Sequence, residues 1–288
     1  MSHLLRSRTR ATGSTPSPDG TAGFTIVELA VTMVVIAILL GSILVPLNTQ
    51  VESRKYDETQ RVLERARDAL LGFAAANGRF PCPASATSNG FEHFLSPGGD
   101  ASNGRCNASV TGPGVYAGFL PAATLGLAQV DAQGYAVDAW GLSPYNRIRY
   151  AVSSQTVNGV LRPFTTLPNP PTNTAGMRAA GMANISGTAL LYVCGSGTGV
   201  VAGSNCGTAT TLTSNAIAVI WSVGPNAATT GGVSTDEAEN PNPSGGSLDR
   251  IFVSKIRSGG TAGEFDDSVT WLAPATVFNR LIQAGQLP

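Results

Sequence analysis

Three groups of residues have types and spacings that can do chemistry. Glu28 is the one carboxylate at the head of an apolar run, Leu29 to Gln50, that holds no charge. An acid in a membrane-length apolar helix is costly, so its presence marks it as a candidate functional residue. Thr25-Ile26-Val27-Glu28 also fits the T-x-x-E capping box, and a first-turn acid suits the positive end of a helix dipole. These residues alone leave both readings open. Four cysteines fall into two local pairs, each closing a loop rich in Gly, Asn and Ser. In an oxidising compartment that arrangement predicts bridges Cys82–Cys106 and Cys194–Cys206. Zinc is disfavoured, because no pair has C-x-x-C spacing and the chain has 2 histidines. Nucleophilic catalysis fares no better: His3 lies in the leader, and His93, in "NGFEHFLSPGG", reads as a solvated loop residue. "GSGTG" at Gly195 to Gly199 lacks the spacing of a phosphate loop and reads as a turn.

The elements that must position these residues follow from periodicity and composition. The apolar run is close to the roughly 20 residues that cross a bilayer, so residues 24–50 read as a transmembrane helix. A cleaved secretory signal fits less well, since "LNTQVESRKYDE" offers no small-residue cleavage site after the run. Residues 1–23 form a leader with Arg6, Arg8 and Arg10 against the single acid Asp19, a bias that keeps it cytoplasmic and sends the rest across. From 51 to 77 the helix continues as an amphipathic stem, with charge pairs such as Asp57 with Arg61 and Glu64 with Arg67. Thr59, Leu63, Ala66, Leu70 and Phe73 recur on the face that would pack on a domain, and Gly78 is the expected stop. Residues 78–288 turn to Gly, Ser, Thr, Asn and Pro with short β-branched runs. "RIRYAVSS", "TALLYVCGS", "AIAVIWSVG" and "RIFVSKIRS" predict strands, and "APATVFNRLIQAG" predicts a terminal helix. The expected class is α+β, a long N-terminal transmembrane and stem helix packed on an antiparallel sheet head. With 18 basic and 18 acidic residues and 12% of the chain charged, no basic footprint argues for nucleic acid.

The string Gly23-Phe24-Thr25-Ile26-Val27-Glu28-Leu29 ahead of an apolar helix resembles the prepilin signature of type IV pilins and type II secretion pseudopilins. The resemblance implies a membrane prepilin peptidase that cuts between Gly23 and Phe24 and N-methylates Phe24. It also implies a filament in which Glu28 meets the N-terminal amine of a neighbouring subunit. The implied partners are that peptidase, other pilins or pseudopilins and an inner-membrane assembly platform. The implied location is the bacterial inner membrane, single-pass with the head periplasmic, and then the filament. "GRFPCPA", "GFLPAATLGL", "DAWGLSPYNRIRYAVS" and "GEFDDSVTWLAP" are similar to large pilin-like proteins of proteobacteria. The size of the mature chain then favours a minor subunit, the alternative being an adhesin-like head carried on a pilin stem. An enzyme is not expected, and no cofactor is required. Major pseudopilins carry calcium near a D-x-W-G segment and an S-x-G turn, which Asp138 to Gly141 and Ser222 to Gly224 resemble. Asp266 and Asp267 would then supply the hard oxygen ligands, with Asn226 standing where an acid is expected. The plainer reading of the two acids is a turn that caps a strand.

Overall fold

The computed structural model describes residues 23–107, 115–141, 144–169, 172, 174–187, 190–228, 234–240, 249–259 and 264–287. The leader, residues 1–22, lies outside them. The elements are α1 (Ile26–Asn77), β1 (Val115–Phe119), α2 (Ala122–Leu125), β2 (Arg149–Val157), β3 (Val160–Pro163), α3 (Gly176–Ala180) and α4 (Met182–Gly187). They continue with β4 (Leu191–Cys194), β5 (Thr211–Ala216), β6 (Ala218–Ser222), α5 (Thr235–Ala238), β7 (Ile251–Val253), β8 (Ser268–Leu272) and α6 (Pro274–Gln283). The chain divides into two compact units, residues 1–51 and 52–288.

In the first unit, the described apolar side chains of α1 are exposed, among them Ile26 at 88%, Val27 at 71% and Ile38 at 66%. In the second unit, α1 from Glu52 onward buries one face. Thr59, Leu63, Ala66 and Leu70 are each fully buried, and Phe73 is half-buried. Gly78 ends the helix at φ +67°, with its N–H donating to the carbonyl of Ala74 at 2.8 Å. Only glycine takes that conformation without cost, which is why the chain turns there.

One sheet has the strand order β1-β2-β6-β8, all antiparallel, with β3 paired to the far end of β2. A second sheet has the order β5-β4-β7. The helices and the second sheet cover opposite faces of the first. Tyr150, Val152, Ala218, Ile220 and Leu272 pack with Leu63, Leu70 and the α6 residues Val277, Phe278 and Leu281. Ala117, Ala151, Val219 and Trp221 pack with Leu191, Val193 and Phe252. Burial on both faces explains why β6 reads as an unbroken apolar run.

Two features correct the expected architecture. Among the described residues no helix is long and apolar enough to cross a membrane. The stem that packs on a sheet is confined to α1 from Glu52 onward, so the long transmembrane stem docked on the head does not hold. The second sheet is also not antiparallel throughout, because β4 pairs with β7 in parallel while pairing with β5 antiparallel. The helix-surface ion pairs expected at Asp57 with Arg61 and Glu64 with Arg67 do not form. Such exposed pairs contribute little against side-chain entropy. The ion pairs of the described residues lie in the head: Arg79 with Glu92, Arg147 with Asp131 and Lys255 with Asp236.

Candidate functional site

Gly23 and Phe24 precede the first turn of α1. Among the described residues, a Cβ placed on Gly23 would meet nothing within 4 Å. Phe24 is 77% exposed. Thr25 starts the helix as a cap, its Oγ1 accepting from the Glu28 N–H at 3.2 Å and its carbonyl from the Leu29 N–H at 3.1 Å. The Glu28 side chain is exposed beside Val27, Val31 and other exposed apolar residues. Half of the capping box is therefore present, the half made by Thr25.

The second chemical centre sits where β6, α5 and β8 converge. Glu237, Asp266 and Asp267 are buried and offer carboxylate oxygens within 4.8 Å of one another. Ser234 caps α5 by accepting from the Glu237 N–H at 3.4 Å, which fixes the Glu237 backbone. Asn226 donates from Nδ2 to both Glu237 oxygens at 3.1 and 3.2 Å, and the Asp266 N–H donates to Glu237 Oε1 at 3.1 Å. Asn240 donates from Nδ2 to Asp267 Oδ2 at 2.9 Å and is itself tied to Val253. Asp266 is 4% exposed, and its carboxylate oxygens have no side-chain hydrogen-bond partner, with only the Asn226 backbone N–H near enough to favour the charged form. Burial, then the charges of Glu237 and Glu264, push its carboxyl up to about 7. Burial likewise raises the Asp267 carboxyl well above its ordinary value.

The two segments singled out for their resemblance meet beside this group. Ser222 Oγ donates to Asp138 Oδ2 at 2.6 Å, and Asn146 Nδ2 bridges Asp138 Oδ2 at 2.9 Å and the Gly224 carbonyl at 2.6 Å. Gly224 has to be glycine: at φ +66°, its Cβ would fall 2.3 Å from Asp266 Oδ1. The donor set is all oxygen, three carboxyl groups that a bound cation would hold in their charged form, which suits a hard divalent cation such as calcium. The sequence supplied Asp266 and Asp267 but not Glu237. Asn226, expected to stand in place of an acid, instead holds Glu237 in position. The preference of Ser234-x-x-Glu237 for a capped turn was the available signal.

Comparison with protein-family models, curated proteins and solved structures finds no match. The function therefore has to be argued from the residues themselves.

The cysteines pair as their spacing predicts, Cys82 with Cys106 and Cys194 with Cys206, at Cα separations of 5.4 and 5.6 Å. His93 departs from expectation. It is half-buried, and its Nδ1 lies 2.6 Å from Ser85 Oγ, with Asn107 Nδ2 at 3.2 Å from Nδ1 and 3.4 Å from Nε2. Asn107 contacts both ring nitrogens rather than orienting one of them, which is not how a third group holds a catalytic base.

Proposed function

We propose that this chain is a pilin-like structural subunit, a minor pilin or minor pseudopilin. In this reading a prepilin peptidase cuts it between Gly23 and Phe24 and N-methylates Phe24. It then joins other pilins or pseudopilins in the filament of a type IV pilus or type II secretion pseudopilus, through an inner-membrane assembly platform. Before assembly its place is the bacterial inner membrane, with the head on the periplasmic side. The role is structural rather than catalytic.

The observation that carries the reading is Gly23. It is a glycine with open space around it among the described residues, followed by an exposed Phe24, a Thr25-capped helix start and an exposed Glu28 on an apolar helix surface. A peptidase that needs close backbone approach at the cut would account for a glycine at this position. The exposed apolar surface from Phe24 to Leu40 is accounted for by neighbouring helices of the same kind. The reading also includes calcium held by Glu237, Asp266 and Asp267. When bound, the ion would neutralise the carboxylates and join α5 to the start of β8.

Mass spectrometry of the N-terminus tests the main reading. Protein recovered from cells with a prepilin peptidase should begin at Phe24 and carry a methyl group on its amine. Gly23→Leu should leave the leader attached. A mature chain that begins elsewhere, or one that is uncut in the presence of the peptidase, would refute it.

A further inference from the structure

Arg149 opens β2 and is 6% exposed. In the antiparallel register it stands directly between Phe119 of β1 and Trp221 of β6, and Trp221 in turn faces Val269 of β8. That row lies on the face turned toward the second sheet. The next row inward, Ala117, Ala151, Val219 and Trp271, belongs to the same apolar layer, so Arg149 sits at the rim of that layer. Its guanidinium lies 4.9 Å from the centre of the Phe119 ring.

What is missing around Arg149 is an anion. Its Nε is enclosed with no hydrogen-bond partner, and it takes part in none of the ion pairs of the described residues. Burial alone lowers its pKa to about 9, with no neighbouring charge contributing. Arg147, two residues earlier, shows the usual solution: its Nε donates to Asp131 Oδ2 at 2.7 Å, and it stacks 3.9 Å over Tyr135. Among the described residues no Asp or Glu side chain pairs with Arg149. A buried guanidinium left unpaired is a standing cost, and its planar fork of donors matches a carboxylate or phosphate.

We propose that Arg149 is the recognition residue of an oxyanion site at the rim of the inter-sheet layer, backed by Phe119, that takes a carboxylate or phosphate group from outside the chain. This does not depend on the filament reading.

Thermal unfolding of the purified full chain tests it, in sodium phosphate, sodium acetate and sodium chloride at matched ionic strength. Phosphate also stabilises proteins generally by exclusion from their surface, so the readout is the difference between wild type and Arg149→Met. At about ten times the dissociation constant, the better anion should raise the wild-type Tm by about 3–6 °C more than it raises that of the variant. Whichever salt gives the larger difference identifies the group as phosphate or carboxylate. In chloride, Arg149→Met should be at least as stable as wild type, because it removes an unpaired buried cation. Arg149→Lys keeps a cation over Phe119 but loses the fork, and should show a reduced shift. It serves as the test if the methionine variant does not fold. Equal anion shifts in wild type and the variants would overturn the proposal. So would a wild type that responds to neither anion.

Discussion

Burial pushes the Asp266 carboxyl up to about 7, and Glu237 and Glu264 push it the same way. An aspartate in the unfolded chain titrates near about 3.9. Between those values the folded chain keeps a proton that the unfolded chain has released, so stability falls as pH rises through the window and levels off above it. Asp267, raised by the same burial, adds to the slope. With a chelator present, the Tm of the head transition should therefore decline from about pH 4 to about pH 7. Asp266→Asn should remove much of that decline and melt no lower than wild type at pH 8, because it deletes a buried carboxylate with no side-chain hydrogen-bond partner. Added calcium should raise the wild-type Tm and leave Asp266→Asn and Glu237→Gln nearly unmoved. A melting curve that is flat with pH and indifferent to calcium would mean that the three carboxylates are only a buried polar network. Gly78 offers a separate test of backbone conformation. Gly78→Ala would force a Cβ into φ +67° and to within 2.6 Å of Pro168 Cγ, and should destabilise the head by about 1–3 kcal/mol, read by denaturant unfolding.

How far an element could be read in the sequence followed how local its determinants were. The buried face of α1 was legible because Thr59, Leu63, Ala66 and Leu70 repeat at the helical period and all reach full burial. β2 and β6 were legible as β-branched runs and α6 as a short terminal helix stopping at Gly285. β1 escaped because Gly118 interrupts "VYAGF". The glycine is there for packing, since a Cβ would come within 2.6 Å of the Ala84 carbonyl oxygen. β5, "TLTSNA", is a mostly polar edge strand that resembles a loop in composition. The parallel pairing of β4 with β7 has no local signal at all, because it depends on Phe252 packing against Trp221, 5.0 Å between ring centres. Glu237 was missed for the same reason, as it reaches Asp266 from 29 residues away along the chain. The second disulfide ties this non-local element together: Cys194 and Cys206 pack with Ile251, and Cys194 pairs with Val253. Replacing both cysteines with serine should cost about 3 kcal/mol on the chain-entropy model. In a domain of this size that lowers the Tm by about 6–12 °C, measured by calorimetry without reductant. A change of under a degree would mean that packing around Ile251 holds β4 to β7 without the bridge.

At the scale of the molecule, the head closes its own core, while α1 from Ile26 to Leu40 leaves large apolar side chains exposed. That surface needs apolar partners, and in the proposed filament these are the same helices of other subunits. The mature chain would begin with the Phe24 amine, a cation that enters the apolar core on assembly and is strongly penalised unless an anion meets it. Glu28, four residues further on, is the one acid on this described surface and in the proposed filament would supply that anion to a neighbour. Glu28→Leu should therefore leave the protein made and cut between Gly23 and Phe24, yet lower its incorporation into sheared filaments by at least about tenfold, since an unpaired buried ion costs several kcal/mol. Glu28→Gln keeps the shape and hydrogen bonding without the charge and should fail in the same way. Mass spectrometry of the N-terminus reads the cut, and immunoblots of the sheared and cell fractions read assembly. Because Thr25 alone makes the observed cap, helix formation should survive both changes, and circular dichroism should show no loss of helix. Normal incorporation of both variants would mean that Glu28 acts only on the dipole of its own helix.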